Sequence, residues 1–162
     1  MVGVPLHPDV EALACLLGTW RGTGQAVYPT TDDFGYTEEL TYSHVGKPQL
    51  AWRQSTVLDD GRPAHAEVGY LRGLADRPGE LELVLAHPAG LIEAAVGEVE
   101  VQPDGLALHL RSTAVVGTPA AKEVLSVERR ITVTGDVLRY QLAMAAVGQA
   151  HQHHLAAELH RA

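Results

Sequence analysis

Apolar and polar residues alternate with a period of two from Thr19 almost to the end of the chain, and Gly, Pro and Asp interrupt that alternation about every ten residues. The pattern predicts ten strands, over Thr19–Tyr28, Gly35–His44, Gln49–Leu58, Ala64–Arg72, Glu80–Ala86, Leu91–Val101, Gly105–Thr113, Lys122–Thr134, Val137–Val147 and His151–His160. Only Pro8–Leu17 reads as a helix. It has a proline at its start, Asp9 and Glu11 in its first turn, Val10, Leu13, Ala14 and Leu17 at helical spacing, and Gly18 where it stops. Asp59-Asp60-Gly61, Pro103-Asp104-Gly105 and Thr134-Gly135-Asp136 are short hairpin connections whose glycines supply positive φ.

Ten hairpin-linked strands with a single short helix would leave one sheet face wet unless the sheet closed on itself. The expected fold is therefore all-β: a ten-stranded antiparallel up-and-down β-barrel, lipocalin-like, with the helix plugging one end. About eight strands already leave room for one small ligand, so ten should enclose more. Leu40 with Tyr42, Leu81 with Leu83 and Leu85, Leu106 with Leu108 and Leu110, and Leu138 with Tyr140, Leu142 and Met144 are candidate inner faces.

Composition narrows the function classes. With 162 residues and 46% apolar content the chain suits a single domain, 1–162, with a full core. A net charge of -8 and the lack of any Lys/Arg cluster argue against nucleic acid and anionic membrane surfaces. One cysteine, Cys15, excludes an internal disulfide and fits a reducing compartment. No stretch approaches the roughly 20 apolar residues of a membrane span, and the N-terminus lacks the features of a signal peptide, so a cytoplasmic protein is expected. An apolar stripe on the outer barrel wall would permit a homodimer.

Two stretches carry candidate chemistry. Trp20, Gly22 and Gly24 alternate on one face of the first strand, and glycines there weaken a strand unless another backbone, a bulky side chain or a ligand comes close. A barrel-closing bend with Trp20 plugging the bottom meets that condition. At the other end of the chain, His151, His153 and His154 place three of the nine histidines within four residues. Neutral imidazole suits iron, copper and zinc, so the tract is either a metal or haem site or a solvated polar end. Glu38 with Glu39, and Glu128 near Arg129 and Arg130, read as solvated or cross-strand charges. Tyr28, Tyr36, Tyr42, Tyr70 and Tyr140 read as packing residues.

Gly18-x-Trp20-x-Gly22-x-Gly24, His44-Val45-Gly46-Lys47-Pro48, His65-Ala66-Glu67-Val68-Gly69-Tyr70, Lys122-Glu123-Val124 and His154-Leu155-x-Ala157-x-Leu159 occur in that order. Together they resemble the nitrobindin family, ferric haem-binding barrels also described as peroxynitrite isomerases. The resemblance implies ferric haem b at one barrel mouth, with His154 as the axial iron ligand. It also implies Lys122 near a haem propionate and His65 and His87 lining the pocket, either of which could overhang the open axial position. Adjacent strand residues face opposite sides, so only one of His153 and His154 can reach a central iron. The implied activity is binding of peroxynitrite at the open axial site and its isomerisation to nitrate without a protein acid or base, together with reversible nitric oxide binding.

Three other readings compete. A lipocalin-like carrier would hold a lipid or other apolar ligand and no haem. A non-haem metal site would use His151 and His153, which share one side of a strand. A haem sensor or nitric oxide carrier would bind the same cofactor without turnover.

Overall fold

A computed structural model describes residues 3–162. Ten antiparallel strands close into one barrel, each paired with its neighbour in sequence, and the first pairs with the last. The strands are β1 (Gly18–Tyr28), β2 (Thr31–Ser43), β3 (Gln49–Leu58), β4 (Pro63–Gly73), β5 (Glu80–His87), β6 (Leu91–Gln102), β7 (Gly105–Gly117), β8 (Val124–Thr134), β9 (Val137–Ala146) and β10 (Gln152–Arg161). The expected strands are all present. β2 begins four residues before the predicted start because the hairpin from β1 is tight, with Tyr28 already opposite Thr31. β8 begins at Val124 instead of Lys122, which leaves Lys122 in the connection from β7. The predicted helix is found over Pro8–Leu16 as a 3₁₀ helix, its first turn capped by His7 Nδ1 accepting from the Asp9 amide at 3.2 Å.

Alternation decides what faces inward. Leu40 and Tyr42, Leu81, Leu83 and Leu85, Leu106, Leu108 and Leu110, and Leu138, Tyr140 and Leu142 are all buried, so the predicted inner faces point to the lumen. Apolar Val68, Tyr70, Val84 and Ile92 lie exposed on the outer wall of β4, β5 and β6.

One end of the barrel is stoppered. Val10, Leu13 and Leu16 of the helix are completely buried against the core, as is Trp20. The Trp20 indole Nε1 donates to the Leu16 carbonyl at 2.7 Å, so the ring ties the first strand to the helix that precedes it. The Arg161 guanidinium lies 4.2 Å from the Trp20 ring centroid and donates to the carbonyls of Leu17 and Cys15 at 2.8 and 2.9 Å. The last strand thereby satisfies carbonyls that the end of the helix leaves free. The two glycines after Trp20 have the role expected of them. A methyl group on Gly22 would strike the Glu158 carbonyl of β10, and one on Gly24 would strike the Tyr36 ring, which reaches across from β2.

The other end is irregular. Register shifts interrupt the ladders at Ala26/Tyr28, Ser55/Val57, Ala94/Ala95, Val124/Ser126 and His153/Leu155, and all five lie toward the end away from the helix. Such bulges bend and splay strands at barrel rims. Trp20→Ala removes the ring, its hydrogen bond and the Arg161 stack together, so it should lower unfolding free energy by about 3–5 kcal/mol. Urea denaturation followed by circular dichroism measures this, and an unchanged midpoint would mean that the plug does not hold the barrel.

Candidate functional site

The splayed end opens into a cavity of about 230 Å³ whose walls are largely apolar, with Phe34, Leu91, Val115, Val124, Met144 and Leu155 among them. His154 reaches this cavity through a local break in the β-pattern. His153 pairs with Ala143 and Leu155 with Leu142, which leaves His154 as an extra residue without a partner on β9. Leu159, Ala157 and Leu155 hold successive inward positions, so unbroken alternation would have turned His153 inward and His154 outward. The bulge reverses the phase. His154 and Leu155 both line the cavity while His153 stays exposed.

The imidazole of His154 is also held in orientation. Its Nδ1 lies 3.0 Å from the Val27 carbonyl, and Val27 sits at the register shift of β1. A carbonyl can only accept, so Nδ1 carries the hydrogen and Nε2 keeps its lone pair. The Tyr28 ring packs edge-on against the imidazole at 5.2 Å between centroids. Burial pushes the pKa of His154 below its ordinary value, and the nearby His153 and His65 add to that effect against the opposing Val27 hydrogen bond. At neutral pH the ring is an uncharged nitrogen donor.

Across the barrel, β4, β5, β6 and β8 build a polar wall. His87 Nε2 faces Glu93 at 3.2 Å and its Nδ1 faces His65 Nε2 at 3.3 Å, while His65 Nε2 is 3.4 Å from Glu67. Arg129 binds Glu67 at 2.8 Å and also bonds Glu93. Burial alone would raise both carboxyl pKa values, but the Arg129 charge and the histidine hydrogen bonds outweigh it and hold Glu67 and Glu93 below the ordinary carboxylate range. A second chain begins on β2. Tyr140 donates to Glu38 at 2.6 Å, the Tyr36 and Tyr140 hydroxyls are 2.8 Å apart, and Gln54 donates to Glu38 at 3.1 Å.

The sequence-predicted residues separate as follows. His154, His65 and His87 line one cavity. Lys122 is exposed in the β7–β8 connection, two residues before the cavity residue Val124. His151 and His153 do not gather a metal site among the described residues, since His151 is engaged by Ser126 and Glu128 at 2.9 and 3.2 Å. Glu38 and Arg129, read as solvated or cross-strand charges, are buried at 4% exposure each, and Arg129 pairs with Glu67 and Glu93 of other strands. Their neighbours on the same strands carried the signal: Glu38 is in phase with Tyr36, Leu40 and Tyr42, and Arg129 with Val127, Ile131 and Val133.

A closed meander with a plugged base, an apolar mouth and a neutral, backbone-oriented imidazole in that mouth defines a ligand-binding β-barrel. The chain belongs to the THAP4-like, heme-binding beta-barrel domain family, whose model matches residues 9–161. This bears out the nitrobindin resemblance. It is 52% identical over 157 residues to "Peroxynitrite isomerase 1" of Mycolicibacterium paratuberculosis, covering 96% of each chain. It is 48% identical over 159 residues to "Peroxynitrite isomerase" of Nocardia farcinica, covering 98% of this chain and 94% of that one. The crystal structure of Rv2717c from M. tuberculosis superposes with a TM-score of 0.94 at 47% identity, covering 98% and 99% of the two chains.

The residues present fit a haem. The walls offer apolar contact to a porphyrin, and His154 supplies a lone pair with its second nitrogen hydrogen-bonded to a carbonyl, as metal-binding histidines usually have. The cavity is smaller than the roughly 300–1,000 Å³ of pockets that enclose a whole drug-sized ligand, so part of so large a group would remain at the rim.

Burial, with a smaller push from the Glu67 charge, raises the Glu38 carboxyl to about 7 despite the hydrogen bonds from Tyr140 and Gln54. The folded state thus holds this proton more tightly than the unfolded chain. That contribution is complete at acid pH and is lost as pH rises from about 4.5 to about 7. Glu38→Gln needs no proton, so its stability relative to the parent should improve between pH 5 and pH 8, by on the order of 3 kcal/mol at most. Urea midpoints at the two pH values check this, and an equal difference at both would mean that Glu38 does not titrate.

Proposed function

We propose that the chain holds ferric haem b through His154 and isomerises peroxynitrite to nitrate, binding nitric oxide reversibly at the same open axial side. The observation that carries the reading is the His154 imidazole, neutral, turned inward by a bulge, with Nδ1 bound to Val27 and Nε2 unpartnered among the described residues. Relatives about half identical to this chain are named peroxynitrite isomerases, which supports the substrate. Haem held there by His154 would supply a Lewis-acidic iron able to take a small anion or nitric oxide.

The protein's own share is coordination, orientation and exclusion of water. Val27 fixes the His154 tautomer and raises the basicity of Nε2. Apolar side chains such as Phe34, Val115 and Met144 line the cavity and would limit the approach of water to a group bound there. His65 and His87 line the facing wall. Lys122, exposed beside the rim, offers a point charge to a propionate, a contact that adds little stability when exposed. The single cysteine accords with a reducing, cytoplasmic setting.

Purified with haem supplied, the protein should show a ferric Soret band that shifts reversibly on anaerobic titration with nitric oxide. His154→Ala should weaken haem binding by more than the roughly 10–100-fold typical of losing an outer-shell partner. His153→Ala should retain the band. Stopped-flow mixing should show accelerated peroxynitrite decay with nitrate as product. A haem-free wild type would favour the lipid-carrier reading, and a haem protein that leaves the decay rate unchanged would favour a sensor or nitric oxide carrier.

A further inference from the structure

We propose that His65, His87 and Glu67 form a second metal site, for zinc or a divalent cation of similar preference, on the cavity wall facing His154. Their donor atoms already form a closed triangle: His87 Nδ1 to His65 Nε2 is 3.3 Å, His65 Nε2 to Glu67 Oε1 is 3.4 Å, and His87 Nδ1 to Glu67 Oε1 is 3.7 Å. Two ligands on a tetrahedral ion with bonds of about 2.0–2.1 Å stand roughly 3.3–3.4 Å apart. The ion would therefore need little movement from its ligands. Among the described residues this is the one group of three His, Cys, Asp or Glu with such spacing.

The site is also built from behind. His87 Nε2 is 3.2 Å from Glu93 Oε2, so in the neutral imidazole that a metal requires the hydrogen sits on Nε2 and Nδ1 presents its lone pair to the triangle. Carboxylate, histidine and metal in line is the usual way a protein orients such a ligand. Arg129 fixes the Glu67 carboxylate at 2.8 Å. Glu67 and His65 are two residues apart on β4 and face the same side, and His87 ends the adjacent β5, so rigid strands set the spacing. The His87 and Glu67 side chains are 8% and 6% exposed, whereas His65 is 38% exposed, which leaves the remaining coordination position toward the cavity.

Charge balance favours a cation here. Glu67 and Glu93 both pair with Arg129, so a single guanidinium faces two buried carboxylates. Buried charge of one sign is costly unless compensated. Without metal, a hydrogen on His65 Nε2 can bridge to His87 Nδ1. With metal, His65 takes the other tautomer and its Nε2 lone pair joins the ligands. Two imidazoles and a carboxylate with one open position suit zinc. None of the ligands is His154, although all three line the same cavity, so loss of haem without loss of zinc in His154→Ala separates this site from the haem reading.

The haem-loaded protein, incubated with zinc sulfate and dialysed, should retain close to one zinc per chain by elemental analysis. His65→Ala and His87→Gln should each lose it, and His154→Ala should keep it while losing haem. Circular dichroism and thermal unfolding check that each variant is folded, and His65, the most exposed ligand, decides the matter should His87→Gln unfold. Wild-type protein without zinc above the dialysis background overturns the site, as does zinc retained in folded His65→Ala.

Discussion

β1 and β10, the strands farthest apart in sequence, pair residue by residue from Trp20 opposite Arg161 to Ala26 opposite Leu155. That ladder removes the last free edges of the sheet and so makes a container. It also sets the geometry at both ends. At the base it brings Arg161 over Trp20 and onto the carbonyls of Cys15 and Leu17. At the mouth it stops where Val27 and His154 both leave their registers, and there a side chain takes the hydrogen bond that the backbone has given up. Gly22 and Gly24 are the condition for this closure, because a side chain at either would push β1 away from β10 or from Tyr36.

Above the apolar base, the lumen carries ionised and hydrogen-bonded groups that an ordinary core would not hold. Arg129 joins carboxylates from β4 and β6, and Glu38 is reached by Tyr140 from β9. Ion pairs buried this deeply seldom add net stability over apolar packing, so a functional reason for keeping them is the more economical account. Their electrostatic effects differ in sign. Arg129 holds Glu67 and Glu93 charged, whereas burial pushes Glu38, which has no ion pair among the described residues, toward neutrality.

The barrel was legible in the sequence because period-two alternation and turn glycines are local signals, and edge avoidance then leaves closure as the economical solution. The inner faces on β2, β5, β7 and β9 followed from the same alternation. His154 was reached through family resemblance. Alternation counted back from Leu159 selects His153, since a bulge has no signature in residue type and arises where two strands of unequal local length meet. The polar wall was missed for a different reason. Glu38 and Arg129 stand beside Glu39 and Arg130, and composition reads such pairs as solvated or cross-strand charges, whereas their phase with buried neighbours marks one member of each pair as inward. Which histidines meet across strands depends on registers that linear order does not contain. His65 and His87, 22 residues apart, touch only because β4 and β5 align them.

The grouping of all five register shifts at one end gives the barrel a gradient of cohesion along its axis. Regular ladders and the Trp20 anchor hold the base, while the rim has fewer continuous backbone bonds to break. Local openings with a low free-energy threshold therefore begin at the rim. A bulky, flat guest can be admitted by such breathing while the stoppered half stays folded, so uptake and release need not be limited by the rate of global unfolding.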